Sequence, residues 1–291
     1  MFDQIAQHIP YQQLQYKNIT ITVKRLDRVH PQISGNKFFK LKYNLLAAQH
    51  LGMTRLLTFG GAYSNHIAAT AYAAHLFGFE SAGIIRGEEL ANQPLNPTLS
   101  TAEQFGMRLV FVSREVYRQK QQAEYLAELH TEFPEHYVIP EGGTNALAIQ
   151  GCTEILSEYD QEKFDVICCA VGTGGTIAGM IEASLPHQHV LGFSALKGDF
   201  LQQEVSQLLI KPKSNWRVID DYCQGGYAKT TPQLIQFIKG FEQTYAIPLE
   251  HIYTAKLFFG LFDLIDQQHF PAYSKILVIH TGGLQGRLAS L

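Results

Sequence analysis

One stretch of the sequence decides the fold class: Asp165-Val166-Ile167-Cys168-Cys169-Ala170-Val171-Gly172-Thr173-Gly174-Gly175-Thr176-Ile177-Ala178-Gly179. A short and uniformly apolar run leads directly into glycines and then into a helix-like segment. Apolar runs without polar alternation are typical of strands that are covered on both faces, as in parallel sheets. The stretch therefore predicts a buried strand, a tight turn and a helix, which together form the repeating unit of an α/β protein.

The same alternation of strand-like and helix-like segments continues on both sides of this stretch. Further strand candidates are residues 19–25, 55–59, 82–85, 108–112, 137–139, 190–193, 217–219 and 275–279. Helix candidates between them include residues 66–77, 116–132 and 146–158. This order predicts an α/β fold with doubly wound, mostly parallel sheets and helices on both faces.

Composition and charge exclude several classes of protein. The 291 residues carry 23 Lys and Arg against 26 Asp and Glu, a formal charge of −3, so we expect no nucleic-acid partner. No apolar run approaches the length of a membrane-spanning helix, so we expect no membrane partner. The four cysteines have no CxxC spacing, and adjacent Cys168 and Cys169 are interpreted as reduced core thiols rather than a disulfide or metal site. These features predict a soluble, cytoplasmic protein without a bound metal.

Residues 172–176, which follow the central strand, have the composition of a phosphate-binding turn. Glycines let backbone N–H groups approach an anion, and the following helix adds its positive N-terminal end. A tight turn without a ligand remains the alternative. A dinucleotide site is less well supported, because Ile177 stands where the third glycine of that fingerprint belongs. No Walker lysine follows the turn, which argues against a nucleotide P-loop.

Lys37 stands in the first turn of a predicted helix that Asn36 can cap. It precedes Phe38 and Phe39, and burial beside apolar rings lowers the pKa of a lysine amine and makes it nucleophilic. Lys40 lies three residues on, so it shares a helix face with Lys37 and can contact the same anion. Most lysines are solvated surface groups, and the pattern alone leaves that alternative open.

Ser64, Asn65 and His66 follow another predicted strand and begin a helix. Hydroxyl, amide and imidazole groups at a helix N-terminus suit a carboxylate ligand. The alternative is a simple serine N-cap, and no acid partner indicates a hydrolytic Ser-His relay. Glycine-rich turns at residues 141–145 and 281–283 also follow strands, so we expect all four turns at one edge of the sheets.

A phosphate turn, a candidate nucleophilic lysine and a carboxylate turn at one edge indicate an amino-acid enzyme that uses pyridoxal phosphate. The chain also resembles the 1-aminocyclopropane-1-carboxylate deaminase / D-cysteine desulfhydrase family, one of the tryptophan-synthase-β-like pyridoxal-phosphate enzymes. The resemblance is collinear from Lys24 to Gly283. It rests on the runs GNKFFKL (35–41), TFGGAYSNHIAATAYAAHL (58–76), PEGGTNALAIQG (140–151), VGTGGTIAG (171–179), QGGYA (224–228), IYTAK (252–256) and HTGG (280–283).

The resemblance implies a role for individual residues of this chain. Lys37 would carry the cofactor covalently and move the α-proton of the substrate. The implied catalytic residues are Lys37, Ser64, Tyr227 and Tyr253. The implied cofactor-binding residues are Lys37, Lys40, Asn65, Gly172, Thr173, Gly174, Gly175, Thr176 and Thr281. The implied substrate-binding residues are Ser64, Asn65, His66 and Tyr227.

The resemblance also implies the architecture, which is two doubly wound α/β domains with the cofactor in the cleft between them (fold type II). Residues 1–42 and 149–291 would form the larger cofactor-binding domain, and residues 43–148 the smaller inserted domain. The family expectation is a homodimer that acts on a small amino acid. We expect residues 25–32 to shape the entrance of the site.

Three positions of this chain resemble the desulfhydrases rather than the ring-opening deaminases. They are His66, Thr254 and Thr281, where the deaminases have glutamine, glutamate and leucine. The resemblance places Thr281 at the pyridine nitrogen, and a neutral hydroxyl there suits loss of a good β-leaving group. The expected reaction is α,β-elimination on a small amino acid such as D-cysteine, which gives pyruvate, ammonia and sulfide. Alternatives are 1-aminocyclopropane-1-carboxylate deamination to 2-oxobutyrate and ammonia, racemisation, and a non-catalytic cofactor-binding regulator.

Overall fold

The computed structural model describes residues 1–288 and 291 of the chain. Within this part, ten strands form two sheets. The strands are β1 (Tyr11–Tyr16), β2 (Ile19–Lys24), β3 (Arg55–Gly61), β4 (Glu80–Arg86), β5 (Met107–Val112), β6 (His136–Ile139), β7 (Val166–Val171), β8 (His189–Ser194), β9 (Trp216–Ile219) and β10 (Ile276–Ile279).

The helices of the described part lie between these strands. They are α1 (Asn36–His50), α2 (Asn65–Phe77), α3 (Pro97–Gln104), α4 (Arg114–Arg118), α5 (Ala123–Glu132), α6 (Ala146–Thr153), α7 (Glu158–Lys163), α8 (Gly175–Ala183), α9 (Leu201–Leu208), α10 (Pro232–Tyr245) and α11 (Thr254–Asp266). None of them combines the length and the apolarity that a membrane crossing requires.

The strand order confirms the predicted α/β class. The larger sheet has the order β1-β2-β10-β7-β8-β9, and the smaller sheet has the order β5-β4-β3-β6. All pairings are parallel except that of β1 with β2. Sequence reasoning missed β1, because this edge strand, Tyr-Gln-Gln-Leu-Gln-Tyr, is mostly polar and buries only Leu14.

Strand β7 shows why helices cover both faces of the larger sheet. Val166, Cys168 and Ala170 pack into an apolar cluster with α10 and α11, whereas alternate residues, Cys169 among them, pack into a second cluster with α1 and α8. Cys168 and Cys169 therefore lie on opposite faces of the sheet, as the two-residue period of a strand requires. Cys168 and Cys169 are buried and form no disulfide, as the prediction of core thiols requires.

Two predicted helices are each split into two. The segment 116–132 contains α4 and α5, because residues 118–122 are polar and none of them is buried. The segment 146–158 ends its helix at Thr153. A new helix, α7, then begins after Ser157, whose hydroxyl and Asp160 form a reciprocal capping box.

Helix α1 joins the two sheets and places Lys37 between them. Leu41 and Leu45 of α1 belong to one apolar cluster that includes Leu56 of the smaller sheet and Ile167 of the larger sheet. The start of α1 also lies against the end of β10. Gly35 has φ +68°, and a Cβ there would lie 1.9 Å from the carbonyl oxygen of Thr281. The predicted domain boundaries at 42/43 and 148/149 stay a prediction.

Candidate active site

A cavity of about 300 Å³ lies where the carboxyl ends of the two sheets face each other. Most of the predicted site residues line it: Lys37, Lys40, Ser64, Asn65, His66, Gly172, Thr173, Gly174, Thr176, Tyr227, Tyr253 and Thr281. Gly175 lies directly behind the wall, where a Cβ would be 3.2 Å from Nζ of Lys40. The glycine-rich turns meet here because each follows a parallel strand, as the sequence predicted.

Lys37 presents an amine with an unusually low pKa to the cavity. Its Nζ donates to Oδ1 of Asn36 at 3.1 Å. Burial, reinforced by the nearby charge of Lys40, lowers the pKa of Lys37 to about 7. The side chain is nonetheless partly exposed to the cavity. A large share of the amine is therefore deprotonated and nucleophilic near neutral pH.

Lys40 is more deeply buried than Lys37 and is held by several acceptors. Its Nζ donates to the carbonyl oxygen of Gly142 and to Oγ1 of Thr144, both at 2.9 Å, and to Oγ1 of Thr173 at 3.2 Å. Burial lowers its pKa to about 8. These bonds use the three protons of the ammonium group, so Lys40 ties the turn after β6 to the turn after β7. Lys37 is the better candidate for covalent chemistry.

The N-terminus of α8 faces the cavity without a side-chain cap. Gly174, with φ +78°, precedes the helix, and the first helical bond runs from the N–H of Ala178 to the carbonyl of Gly174. The N–H groups of the first turn thus have no partner within the helix. The turn is also closely packed, since a Cβ at Gly172 would lie 3.0 Å from the ring of Tyr253. A turn of this kind, here called the phosphate cradle, has the geometry to hold a phosphate group, and its use for that purpose stays a prediction.

Ser64 and Asn65 occupy the start of α2, on the side of the smaller sheet. Oγ of Ser64 accepts from the N–H of Ile67 at 3.3 Å, so Ser64 caps the helix, as its alternative interpretation predicted. Oδ1 of Asn65 accepts from Nε2 of Gln285 at 2.5 Å. Both residues also line the cavity, so capping does not remove them from it.

His66 uses both ring nitrogens within the protein. Oγ1 of Thr58 donates to the carbonyl of Ile139 at 2.8 Å, so it must accept from Nε2 of His66 at 2.7 Å. Nδ1 lies 3.5 Å from Oγ1 of Thr70. Burial, together with Lys37, holds the pKa of His66 well below its usual range. The ring is therefore neutral with its proton on Nε2, and its role in substrate binding stays a prediction.

Tyr227 and Tyr253 form an edge-to-face pair on the wall of the cavity. Their ring centroids lie 6.2 Å apart at 67°. Burial raises the pKa of both phenols, so both are protonated at neutral pH. The loop of Tyr227 is held by a buried lysine, because Nζ of Lys256 donates to the carbonyl of Gly226 at 2.7 Å.

Glu250, which sequence reasoning missed, holds the start of α11. Its carboxylate accepts from the N–H groups of Ile252 at 2.6 Å, Tyr253 at 2.8 Å and Thr254 at 2.5 Å. Burial raises its pKa to about 6. The available signal was an acidic residue four positions before a long apolar helix. Thr281 lines the cavity nearby, and its carbonyl accepts from the N–H of Asn36 at 3.2 Å.

Arg86 and Glu141 also line the cavity. Glu141 belongs to the predicted turn 141–145 but was given no role of its own, whereas Arg86, which directly follows the predicted strand 82–85, was not predicted. The rule that identified the glycine turns would have found Arg86. Residues 25–32, by contrast, do not line the cavity. Arg25 and Asp27 form a buried ion pair at 2.6 Å, and Asp27 lies 3.3 Å from Nδ1 of His280. This segment supports the end of β10 from behind, so the expectation that it shapes the entrance was wrong.

Comparisons with known proteins identify the family of this chain. The sequence profile of the pyridoxal-phosphate dependent enzymes matches residues 7–282. A Thermotoga maritima protein with the provisional name 1-aminocyclopropane-1-carboxylate deaminase is 33% identical over 292 residues, covering 92% of this chain and 90% of the relative. An Arabidopsis thaliana protein named bifunctional D-cysteine desulfhydrase/1-aminocyclopropane-1-carboxylate deaminase, mitochondrial, is 31% identical over 290 residues, covering 91% and 72%.

The fold is likewise similar to a solved structure. The crystal structure described as that of an ACC deaminase homologue superimposes with a TM-score of 0.82 and 29% identity. The superposition covers 97% of this chain and 91% of the other. Among the described residues of this chain, no group of three or more His, Cys, Asp or Glu side chains is placed to hold a metal ion.

Proposed function

The chain belongs to the pyridoxal-phosphate dependent enzyme family, and from this premise we propose that it is a lyase that removes the β-substituent of a small amino acid such as D-cysteine. The products would be pyruvate, ammonia and, from cysteine, sulfide. The predicted family, fold class and cofactor are confirmed by the family match and by the relatives.

The residues of the cavity fit pyridoxal phosphate. The uncapped start of α8 would hold the phosphate, and Lys37 would hold the cofactor covalently through its amine. Asn65 and Thr281 would contact the ring, as the family resemblance implies. When bound, the cofactor withdraws electrons from the α-carbon of an amino acid attached to it and so acidifies the α-proton.

The observation that carries the lyase assignment is the neutral side chain of Thr281 on the cavity wall. The family resemblance places this residue at the pyridine nitrogen. The buried acid Glu250 is already engaged with three backbone N–H groups just before and at the start of α11. A hydroxyl at that position leaves the nitrogen less protonated than a carboxylate would. Such a site suits removal of an α-proton followed by prompt loss of a good β-leaving group.

The other side chains supply proton transfer and orientation. Lys37, with a pKa of about 7, can take a proton and return it near neutral pH. Tyr227 and Tyr253 are protonated and can donate hydrogen bonds to substrate or leaving group. Ser64 and the N-terminus of α2 would hold the α-carboxylate of the substrate, because that helix end carries partial positive charge.

Product analysis of the protein purified with pyridoxal phosphate tests the proposal. We expect sulfide and pyruvate from D-cysteine, with L-cysteine and 1-aminocyclopropane-1-carboxylate as comparison substrates. Release of 2-oxobutyrate from the cyclopropane compound, without sulfide from cysteine, would instead establish the deaminase alternative, which the Thermotoga relative favours. Exchange of the α-proton with deuterium without ammonia would indicate a racemase. Cofactor absorbance with no turnover would indicate a regulator.

We also propose a cytoplasmic homodimer of two-domain subunits, as the family resemblance implies. The larger sheet takes its strands from residues 11–24 and 166–279 and the smaller sheet from residues 55–139, which supports division at 42/43 and 148/149. Light scattering should give twice the 32.7 kDa of one chain. A mass of 32.7 kDa across the concentration range would contradict the dimer.

A further inference from the structure

Arg86 is a cationic side chain on the cavity wall, and the proposed function assigns no role to it. It is the last residue of β4, and in the parallel pairing it lies beside Gly61, the last residue of β3. The chain continues from Gly61 to Ser64 at the start of α2. Arg86 therefore lies at the same edge of the smaller sheet as the turn that would hold the α-carboxylate of the substrate.

The guanidinium of Arg86 has no anionic partner among the residues that the structure describes. Across residues 1–288 and 291, it makes no hydrogen bond or ion pair. The neighbouring acid, Glu141, is engaged elsewhere. It accepts from Oη of Tyr117 at 2.7 Å and lies 3.3 Å from Nζ of Lys120. Arg86 is exposed at the cavity wall, so its donors face the space that a ligand enters.

The surroundings of this guanidinium support it without supplying a negative charge. Its Cζ lies 5.8 Å from the ring centroid of Tyr117, within the range of a cation–π contact. A Cβ at position 61 would lie 3.5 Å from Nη2 of Arg86, so the glycine leaves the approach to the donors open. Tyr117 is buried and held by Glu141, which makes it a fixed support.

The phosphate cradle lies at the edge of the larger sheet, so binding of the cofactor phosphate does not explain the presence of Arg86 at the cavity. Lys37, Lys40 and the start of α8 surround that cradle, and α8 follows β7 of the larger sheet. Arg86 belongs to the smaller sheet and lines the cavity together with Tyr227. The cavity thus contains a second, separate cationic group that faces the region assigned to the substrate.

We propose that Arg86 binds an anionic group on the side chain of the amino-acid substrate, so that the enzyme prefers small amino acids with an acidic β-substituent. A planar guanidinium matches a carboxylate, sulfonate or phosphate with two parallel N–H donors. This inference rests on the proposed function, because it assumes that an amino acid enters this cavity.

The same contact would assist elimination when the acidic substituent is the leaving group. With O-phosphoserine, the α-proton would pass to Lys37, the Cα–H bonding pair would form a Cα–Cβ double bond, and the Cβ–O bonding pair would leave with the phosphate. One water then hydrolyses the C–N bond of the remaining three-carbon product, so that the substrate and that water give pyruvate, ammonium and hydrogen phosphate. Arg86 would stabilise the negative charge that grows on the departing oxygen.

Binding of matched amino acids that carry no β-leaving group tests the proposal on the holoenzyme. Aspartate and asparagine have nearly the same shape and differ in charge. We expect one enantiomer of aspartate to bind about tenfold more tightly than the corresponding asparagine by calorimetry, because a charged hydrogen bond at a partly exposed site is screened. Arg86→Gln should abolish this ratio and Arg86→Lys should retain part of it.

Arg108→Gln is the matched control. Arg108 lies on the adjacent strand β5 and pairs with Ala82, at the opposite end of the smaller sheet. It is exposed, and its guanidinium lies 4.0 Å from Glu132. The control should keep the tenfold ratio, and thermal unfolding should show that both glutamine variants are folded.

Three results would overturn the proposal. They are equal binding of aspartate and asparagine by the parent enzyme, a ratio that survives Arg86→Gln, and a loss in that variant that is equal for both ligands. The last result would mean that Arg86 binds the α-carboxylate.

Different results would contradict the proposed lyase function. Turnover of D-cysteine without any charge preference overturns this inference alone, whereas charge-dependent binding without elimination from any β-substituted alanine overturns the lyase assignment alone.

Discussion

The helices α8 and α11 both begin at the cavity, but their N-termini are completed in opposite ways. At α11, three backbone N–H groups donate to the carboxylate of Glu250. At α8, Gly174 provides no side chain, and the first-turn N–H groups face the cavity. An internal anion, the carboxylate of Glu250, thus occupies one helix end, and we propose that the phosphate of the cofactor occupies the other, because both ends carry partial positive charge.

The open end of α8 contrasts with most other helices of the protein. In the described part of the chain, six helices begin with a side chain that accepts a backbone N–H: Ser64, Asn96, Ser113, Asn145, Ser157 and Thr231. Capping by a polar side chain stabilises a helix by about 1 kcal/mol. The protein forgoes this stabilisation at α8, where a glycine brings the backbone close to the cavity. A missing cap at a cavity is therefore informative about the ligand.

The largest predicted effect is the loss of turnover when the amine of Lys37, which lies beside the start of α8, is removed. Lys37→Ala should lower turnover about ten-thousandfold, because no other residue can replace the proton carrier and covalent anchor. The phosphate cradle should survive, so equilibrium dialysis should still detect non-covalent pyridoxal phosphate, and inorganic phosphate should compete with it.

Lys211→Ala, which changes an exposed lysine, is the control and should leave turnover unchanged. Borohydride reduction followed by peptide mapping should attach the cofactor to Lys37 in the parent protein. Attachment of the cofactor to Lys40 would contradict the assignment of Lys37 as the nucleophile, which rests on the three acceptors that already engage Nζ of Lys40.

The next largest effect should come from giving α8 the internal anion that α11 already has. Thr173→Asp places a carboxylate before the open helix end, where it would repel the phosphate and take up the N–H groups. We expect the Kd of the apoprotein for pyridoxal phosphate to rise about a hundredfold relative to Thr173→Asn, which has the same shape without the charge. Equal Kd values for the two variants would mean that the phosphate lies elsewhere.

The reverse change removes the carboxylate of Glu250 from the N-terminus of α11. Glu250→Ala leaves three buried N–H groups without their acceptor and creates a small cavity. We expect the free energy of unfolding to fall by about 3 kcal/mol, as measured by urea denaturation of the apoprotein. Glu204→Ala, an exposed position on α9, should change it by less than about 0.5 kcal/mol. A variant as stable as the parent would mean that water replaces the carboxylate and that the two helix ends are alike.

The contrast between α8 and α11 also shows what the sequence could predict. The α8 site was predictable because a buried strand, glycines and a helix are contiguous, and the local order of residues determines the cradle. The role of Glu250 depends on how the chain folds back before α11, and the local signal, an acidic residue shortly before an apolar helix, does not by itself report that fold. His66 is similar, since Thr58 and Thr70 engage its ring nitrogens only after β3 and α2 pack together. Arg86 was missed although it directly follows a predicted strand.

The smallest predicted effect is a pH-dependent change in stability that comes from the charge of Glu250. It tests whether the starts of α8 and α11 differ as anion sites. Burial raises the pKa of Glu250 to about 6, above the ordinary value of 4.5 that applies to the unfolded chain. A raised carboxyl pKa means that the folded state binds the proton more tightly. Its contribution to stability is therefore complete below pH 4.5 and is lost as the pH rises through 6, by about 2 kcal/mol.

The destabilisation caused by Glu250→Ala should accordingly be about 2 kcal/mol larger at pH 4.5 than at pH 7, because the variant lacks this titration. Urea denaturation at the two pH values measures the difference, and the subtraction removes groups that both proteins share. An equal destabilisation at both values would mean that the three N–H groups fully compensate the burial of the carboxylate. The start of α11 would then be as good an anion site as that of α8, and only the identity of the anion, part of the chain or part of the cofactor, would separate them.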